Sequence, residues 1–535
     1  MSKLLDVIIR HGNIVDGSGV PSFHLDLGVK DGVIAAIGDL SKENSALEIN
    51  ADQMVVAPGF IDVHTHSDIT LLVDPKAESA VRQGVTTQVF PNCGEGTAPA
   101  VGEALKDVEE RLKPFGLQVQ WSSVGEYFSY LEKRQPSINV VPMVAQGTVR
   151  MAVLGFEKRK PSSTELGRMK DYVEEAMKSG ARGLCSGLRY VPGGYADVAE
   201  LVELCKVMRP YGGVYASHIR SEGDNGDWFD AINEAIAIGE GAGVPVQISH
   251  LKALGKGVWG KSEQALAIIE KARARGVGVA CDQYPYEASG STLLVLFPQW
   301  AVDGGIDLLF QRLADKSTRK RIQGEFEKTL EMRGGPEKMT LSLFSPDRSL
   351  QGRTLMEVAK SKKMPLFETA IHLLQAAHGQ VNMTFYVMDI GDVRRIMTRP
   401  YVMVGSDGYA LSPHGPLSTE SHPHPRSYGC FPRVLARFVR DEKLIKLEEA
   451  VSKMTHLPAT RFKLKNRGLL RSGMAADIVV FDPARVQDTA TFDQPQQYPR
   501  GIPYVLVNGQ LVVDKGEHTA AHPGRILRGN KLESA

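Results

Sequence analysis

Apolar and polar residues alternate with a period of two at both ends of the chain. Residues 4–56 contain three such segments, with Asp-Gly pairs at 16–17 and 31–32 that favour hairpin turns. The same pattern returns after about residue 468, where Asn508-Gly509 marks another hairpin. Because this alternation is typical of antiparallel strands, the two chain ends are expected to combine into one small β domain.

The central part of the chain instead alternates short apolar runs with segments of helical period. In one such segment Leu166, Met169, Val173 and Met177 form one apolar face, and Gly180 follows as a C-cap. Strands that alternate with helices indicate parallel βα units. Eight strands are expected, at residues 59–66, 86–93, 139–147, 181–188, 213–219, 245–251, 277–285 and 401–408.

Eight such units predict an α/β fold, a (β/α)8 barrel of the TIM type, beside a small β-sandwich built from both chain ends. The expected boundaries are 1–58 for the first part of the β domain, 59–465 for the barrel and 466–535 for the second part with a tail. A charged stretch at about 299–376 is expected to be an insertion near the mouth of the barrel. The tail after Gly516 is expected to be loose.

Bulk composition narrows the class of ligand. Lys and Arg number 63 against 62 for Asp and Glu, so no net charge favours nucleic acid or an anionic membrane, and a small-molecule ligand is expected. Five cysteines without a CxxC pair argue against a disulfide scaffold. No signal peptide and no run of 18 apolar residues are visible, which predicts a soluble cytoplasmic protein. Its oligomeric state is left open.

Potential metal ligands lie at the expected carboxyl ends of five strands, where barrel enzymes carry their chemistry. They are His64, His66, Cys93, His218, His250 and Asp407. Residues two apart on a strand share a face, so both histidines of the HTH motif can point into one pocket. Each residue alone is weak evidence for a metal site, since a single buried Cys is usually a packing residue. Together they indicate a divalent metal site, with zinc favoured by imidazole and thiolate donors.

The segment PGFIDVHTHSD (58–68) resembles the opening motif of the amidohydrolase superfamily. Within that superfamily the chain is most similar to the D-aminoacylases, or N-acyl-D-amino-acid deacylases. The matching pieces follow in order along nearly the whole chain: PNCG (91–94), CSGLRYVPG (185–193), ASHIRSEG (216–223), QISHLK (247–252), DQYPYEASGSTL (282–293), GSDG (405–408) and HPRSYGCFPRVL (424–435).

The resemblance implies a particular metal centre. Cys93 would replace the carboxylated lysine that bridges two metals in hydantoinases, and the fourth strand here contains no lysine. Cys93, His218 and His250 would hold a tightly bound zinc. The remaining donors, His64, His66 and Asp407, would line a second site that is weak or empty.

The same resemblance implies hydrolysis of N-acyl-D-amino acids. Asp407 would take a proton from the metal-activated water and deliver it to the departing amine. Arg426 would grip the substrate carboxylate, with Lys252 and Tyr284 nearby and Tyr190 orienting the carbonyl. The segment 288–303 carries no Lys or Arg, and its Leu293, Leu294, Leu296, Phe297 and Trp300 predict an apolar pocket for neutral or hydrophobic side chains.

Three alternatives remain open from the sequence. A cyclic-amide hydrolase such as a D-hydantoinase would share the barrel and metal, although the missing lysine and the HPR motif disfavour it. A non-catalytic scaffold of the same fold would be expected to lose ligands. A cysteine-nucleophile amidase would use Cys93 or Cys185, but no Cys-His-Asn signature is visible.

Overall fold

The computed structural model describes residues 4–224, 226–419 and 422–532. Its first strands are β1 (Leu5–Ile14), β2 (Phe23–Lys30), β3 (Val33–Gly38), β4 (Ser45–Asn50) and β5 (Val55–Pro58). The central strands are β6 (Phe60–Asp62), β7 (Val85–Phe90), β8 (Asn139–Pro142), β9 (Val144–Ala145), β10 (Gly183–Gly187), β11 (Val214–His218), β12 (Val246–Ile248) and β13 (Val279–Gln283). Later strands are β14 (Ser289–Thr292), β15 (Met339–Leu343), β16 (Asn382–Phe385), β17 (Val402–Val404), β18 (Ile478–Phe481), β19 (Tyr504–Val507), β20 (Gln510–Asp514) and β21 (Glu517–His518).

The helices lie mostly between the central strands. The first nine are α1 (Thr70–Val73), α2 (Glu78–Val81), α3 (Gly102–Leu112), α4 (Val124–Lys133), α5 (Gln146–Leu154), α6 (Ser163–Lys178), α7 (Val198–Met208), α8 (Trp228–Ala242) and α9 (Ser262–Ala274). The others are α10 (Gln299–Val302), α11 (Ile306–Ala314), α12 (Lys316–Met332), α13 (Leu355–Lys362), α14 (Leu366–Ala376), α15 (Ile390–Met397), α16 (Arg426–Arg433), α17 (Leu447–Met454) and α18 (His456–Arg461). A π-helical segment, Val434–Asp441, continues α16. None of the helices in the described ranges has the length and apolar character that a membrane span requires.

Strands from both chain ends pair in one nine-stranded sheet. Its order is β21-β20-β19-β18-β5-β1-β2-β3, with β4 also paired to β1. The two ends meet where β18 pairs antiparallel with β5, so that Val479 lies opposite Ala57. Apolar side chains from these strands, among them Ile9 and Ile478, pack into a core of their own. The alternating pattern at the chain ends therefore corresponds to one β unit.

Parallel strands from all eight predicted segments form the centre of the molecule in two hydrogen-bonded groups. One group is β6-β7-β8, and the other is β17-β13-β12-β11-β10-β9. Met143 alone separates β8 from β9, and a parallel bridge between Thr65 and Gly408 connects the chain beyond β6 with the chain beyond β17. The strands run parallel within each group, so their carboxyl ends lie on the same side.

Helix α6 shows how the outer helices form from the sequence. Ser162 and Glu165 make reciprocal hydrogen bonds that cap its first turn, the arrangement called a capping box. Met169, Val173 and Met177 are buried on one face, as their spacing predicts. After the helix, Gly180 takes a φ of 104°, which glycine adopts without a Cβ clash.

A separate antiparallel sheet, β14-β16-β15, lies between the seventh and eighth central strands in the sequence. Helices α10 to α14 fall between β14 and β16 along the chain. Two ion pairs tie this segment to the central part, one between Arg333 and Asp224 and one of 2.6 Å between Lys158 and Asp303. The segment is therefore held against the loops that follow the central strands.

Residues 517–532 pack against the rest of the protein, so the expectation of a loose tail after Gly516 was wrong for this range. Strand β21 pairs with β20, and Ile526 forms a parallel bridge with Val140. Further on, the Gly529 N–H donates to the Gly180 carbonyl at 2.7 Å. This segment is rich in polar residues, so the sequence pattern did not indicate that Ile526 is buried or that the backbone makes these hydrogen bonds.

Candidate metal centre

Four of the predicted metal ligands come together in one buried group. The ligand atoms of His64, Cys93, His250 and Asp407 all lie within 4.8 Å of one another. Sγ of Cys93 is 3.3 Å from Nε2 of both His64 and His250. Oδ1 of Asp407 is 3.5 Å from Nε2 of His64 and 3.0 Å from Nε2 of His66. Side chains that are up to 343 residues apart in sequence thus meet at the carboxyl ends of the central strands.

The backbone at this group is unusual. Cys93, His250 and Asp407 have φ values of 52°, 37° and 52°, a left-handed region that residues with a Cβ rarely adopt. Each such conformation costs of order 1–2 kcal/mol and persists only where the surroundings enforce it. The central strands end just before these residues, and for this reason β12 and β17 are shorter than the sequence predicts.

The donor atoms suit a divalent cation. For a tetrahedral zinc with Zn–S near 2.3 Å and Zn–N near 2.0 Å, sulfur and nitrogen ligands are about 3.5 Å apart, close to the distances of 3.3 Å observed. Burial lowers the pKa of His64 and His218, so both rings are neutral near pH 7, the form that binds metal. Burial, assisted by Asp407, raises the pKa of the Cys93 thiol, so a thiolate here requires a neighbouring cation.

A second, overlapping group consists of His218, Glu222 and His250. Nδ1 of His218 is buried and has no hydrogen-bond partner in the described ranges. The resemblance assigned His250 to the tight site and His64 to the weak one, whereas the structure groups His64 and His250 around Cys93. Which donors share which metal therefore stays a proposal.

Two carboxylates that the sequence did not indicate lie next to the Nδ1 atoms of His64 and His250. Oδ1 of Asp282 lies 3.2 Å from Nδ1 of His64, and Oε1 of Glu222 lies 3.1 Å from Nδ1 of His250. Asp282 also accepts a hydrogen bond from the backbone N–H of His250. When Nε2 of a histidine binds a metal, Nδ1 carries the proton and needs such an acceptor. Asp282 is therefore placed to orient the ring of His64, and Glu222 lies beside His250 together with Lys252, whose Nζ is 2.8 Å from Nδ1 of His250.

Asp407 is paired with the predicted carboxylate-binding arginine. Nη1 of Arg426 lies 2.7 Å from Oδ2 of Asp407, and both side chains are buried. Burial alone would raise the pKa of Asp407, but Arg426, with smaller contributions from His250 and His66, holds it well below its usual value. Asp407 is therefore an ionised carboxylate, able to accept a proton or bind a cation.

The remaining predicted residues line a cavity of about 750 Å³ that opens beside the donors. The ring of Tyr284 packs against the Arg426 guanidinium, with 4.8 Å between the ring centre and the guanidinium carbon. Tyr190 meets the ring of His218 edge-on at 4.8 Å. Lys252 lines the cavity but is engaged, with Nζ 2.5 Å from Oε1 of Glu222 and 2.8 Å from Nδ1 of His250.

The expected apolar pocket is only partly present. Of the five apolar residues named in segment 288–303, Leu294 and Phe297 line the cavity. Leu293 and Leu296 are fully buried in the core, and the Trp300 indole donates to Glu325. The segment has no cation, as noted, but the cavity wall includes Arg189 and Arg333 from other elements. The side-chain preference therefore stays a prediction.

A parallel α/β core with histidine, cysteine and carboxylate donors at its strand ends is typical of metallohydrolases. The sequence profile of the amidohydrolase family matches residues 47–513, which is most of the chain. The chain therefore belongs to the amidohydrolase family, and the resemblance drawn from its motifs is confirmed.

Full-length relatives narrow the comparison. The chain is 37% identical to D-aminoacylase of Alcaligenes xylosoxydans xylosoxydans over 526 residues, covering 98% of each chain. It is also 37% identical to N-acyl-D-glutamate deacylase of the same organism over 528 residues, covering 99% of this chain and 97% of the relative. Because the two identities are equal, they do not discriminate between side-chain preferences.

A solved structure supports the same comparison. The crystal structure of N-acyl-D-glutamate deacylase from Bordetella bronchiseptica, complexed with zinc and a phosphonate mimic of the tetrahedral intermediate, superposes with a TM-score of 0.84. It is 35% identical to this chain and covers 98% of it, and the chain covers 100% of that structure. The fold described above is therefore the fold of a zinc-bound deacylase.

Proposed function

We propose that this protein hydrolyses the amide bond of N-acyl-D-amino acids, giving a carboxylate and a free D-amino acid, with zinc as its cofactor. The observation that carries the proposal is the buried His64, Cys93, His250 and Asp407 group, which opens on a cavity that also holds Arg426. The choice of the D enantiomer rests on the relatives. The metal-ligand atoms themselves do not distinguish a D substrate from an L substrate.

The metal is proposed to be one tightly bound zinc with a second, weaker site. Cys93 and His250 would serve the tight site, with His218 or His64 completing it, and His66 and Asp407 would serve the other. Bound zinc brings the pKa of a water ligand down towards about 7 and polarises the scissile carbonyl. Asp282 lies 3.2 Å from Nδ1 of His64 and Glu222 lies 3.1 Å from Nδ1 of His250, near enough to take up a ring proton when Nε2 binds, although Nδ1 of His250 here accepts from Nζ of Lys252.

Asp407 is proposed as the catalytic acid and base. Its carboxylate is ionised and lies beside the donors, so it can accept the proton that the attacking water releases. The protonated carboxyl group then delivers that proton to the nitrogen of the departing amine. The pairing with Arg426 keeps Asp407 charged before the reaction begins.

Arg426 is proposed to grip the α-carboxylate of the substrate. Its Nη1 faces Asp407, and its planar guanidinium has further N–H groups for a carboxylate. Tyr284 packs against the guanidinium and stiffens it. Lys252 is proposed to contribute positive charge rather than a direct grip, because Glu222 already holds its Nζ. Tyr190 is proposed to orient the scissile carbonyl from beside His218.

The side chain of the preferred amino acid is predicted to be neutral or hydrophobic. Leu294 and Phe297 in the cavity wall support this prediction. A panel of N-acetyl-D-amino acids tests it, with N-acetyl-D-leucine expected to exceed N-acetyl-D-glutamate in kcat/KM. The opposite order would reverse the prediction.

Three measurements separate this proposal from its rivals. Turnover of hydantoins at rates comparable with N-acetyl-D-leucine would favour a cyclic-amide hydrolase. Purified protein with no bound divalent metal and no turnover would favour a scaffold. A covalent acyl-enzyme seen by mass spectrometry would favour a cysteine nucleophile, although burial raises the pKa of Cys93 and Cys185, which disfavours a free thiolate.

We also propose the finer features of the fold. The two parallel groups would form one eight-stranded barrel, supported by the single residue between β8 and β9 and by the bridge from Thr65 to Gly408. The nine-stranded sheet would fold on itself as a β-sandwich around its separate core. The domain boundaries at 58 and 466, and the insertion at about 299–376, complete this proposal.

A further inference from the structure

One wall of the cavity carries two arginines that the proposed function does not use. Arg189 lies two residues after the end of β10, and Arg333 is the first residue after α12. Both line the same cavity as His250, Asp407 and Arg426. Arg333 belongs to the segment between β14 and β16, so this segment supplies a charged group to the cavity.

Arg333 is buried and only partly satisfied. Its Nη2 is ion-paired with Oδ2 of Asp224, and its guanidinium carbon lies 4.8 Å from the ring centre of Phe385. The side chain is only 4% exposed. Its Nε and Nη1 have no hydrogen-bond partner in the described part of the chain. Because a buried N–H without an acceptor is costly, these groups favour a ligand that accepts hydrogen bonds.

Arg189 shares its surroundings with Arg333. One of its guanidinium nitrogens, Nη2, donates to the carbonyl of Val295 at 3.2 Å. Burial lowers the pKa of Arg189, and the charge of Arg333 adds to this effect while Asp224 opposes it. Both guanidinium groups line the same cavity, and guanidinium groups attract an anion.

The surface around these arginines is polar. Ser342, Asn382 and Thr384 of the β14-β16-β15 sheet line the same cavity. Their hydroxyl and amide groups can donate hydrogen bonds to an anion that the arginines attract. Such a wall suits a carboxylate better than an aliphatic chain.

We propose that Arg189 and Arg333 form a second anion subsite, so that preferred substrates carry a second carboxylate besides the α-carboxylate held by Arg426. The inference rests on the proposed function. Guanidinium groups bind carboxylates through two parallel hydrogen bonds, which matches the unused N–H groups of Arg333. The second carboxylate belongs to the acyl group, which agrees with the neutral side chain proposed above.

Two pairs of probes test the subsite and identify the source of the carboxylate. Each pair compares an acid with its own primary amide, which has the same shape without the charge: N-succinyl-D-leucine with its terminal amide, and N-acetyl-D-glutamate with N-acetyl-D-glutamine. In the N-succinyl pair the acid is expected to exceed the amide in kcat/KM by about 10- to 100-fold, the usual effect of hydrogen bonds to a charged group. A ratio near or below 1 in this pair would overturn the proposal, whether or not the glutamate pair shows a preference for the acid. Turnover of N-acetyl-D-leucine by the zinc-loaded protein tests the proposed function separately.

Variants of the two arginines test whether these residues cause the preference in kcat/KM for the acid over the amide. Arg189→Met is one, and the double variant Arg333→Met with Asp224→Asn is the other, since Asn keeps the shape of Asp224 and removes the carboxylate that pairs with Arg333. Both are expected to reduce the acid-to-amide ratio at least about 10-fold. Arg319→Met is the matched control, because Arg319 pairs with Glu368 in the same segment without lining the cavity. A ratio that stays high in both test variants would contradict the assignment.

Discussion

Replacing Cys93 by alanine removes the donor at the centre of the buried group. Sγ lies 3.3 Å from both His64 and His250, and no lysine on the neighbouring β10 can replace it. Four-ligand zinc sites bind with about 10–16 kcal/mol, or roughly 3 kcal/mol per ligand. Loss of one ligand is therefore expected to weaken zinc binding by at least about 100-fold, with activity falling in parallel.

Competition with a chromophoric chelator measures the zinc Kd of Cys93→Ala directly. Cys205→Ala is the control, because Cys205 is also fully buried but lies in helix α7 outside the donor group. The control is expected to keep the wild-type zinc Kd. If Cys93→Ala also kept its zinc Kd and turnover, Cys93 would be a packing residue and the assignment of the site would fail.

Three further variants test other parts of the site. Asp407→Asn keeps a side chain that tolerates the φ of 52° but cannot take up a proton, so kcat is expected to fall at least about 100-fold, and the thermal midpoint is expected to fall as well because Arg426 loses its buried counter-charge; wild-type kcat would show that Asp407 is not the catalytic acid and base. Glu222→Gln removes the negative charge that lies beside Nδ1 of His250 and holds Nζ of Lys252, and the zinc Kd is expected to rise about 10- to 100-fold. Burial opposes ionisation of Glu222, but Lys252 lowers its pKa below the usual value, so its stabilising effect is present above about pH 4.3 and is lost as pH falls. The melting temperature of the variant should therefore depend less on pH between about 4.5 and 3 than that of the wild type, and equal slopes would contradict this. Gly290→Ala places a methyl group 3.1 Å from Nη2 of Arg426, and KM is expected to rise about 10-fold with kcat less affected. An unchanged KM would indicate that Arg426 does not bind the substrate carboxylate.

The sequence was sufficient to locate the central strands and the donors because both follow short-range rules. Apolar runs gave all eight strand segments, and the ends of those segments gave the residues that meet in space. The strand limits were less accurate. Cys93, His250 and Asp407 adopt left-handed backbone conformations, which end a strand early and have no signature in the hydrophobic pattern.

The residues that were missed depend on contacts between distant parts of the chain. Glu222 and Asp282 lie inside the motifs SHIRSEG and DQYPY, so a signal was present, but Glu222 is in a loop and Asp282 in strand β13, and neither position by itself indicates a contact with a histidine. The two carboxylates gain a role only in the folded protein, where β11, β12 and β13 bring Glu222 next to His250 and Asp282 next to His64. Arg333 is harder still, because its approach to Asp224 depends on how the segment between β14 and β16 docks.

The most direct test of the central claim is the kcat/KM for N-acetyl-D-leucine measured before chelation, after chelation and after zinc is restored. Turnover is expected to disappear with the metal and to return when zinc is added, and in the zinc-loaded protein it is expected to exceed turnover of N-acetyl-L-leucine. Full activity in protein that metal analysis shows to be free of divalent ions would contradict the central claim.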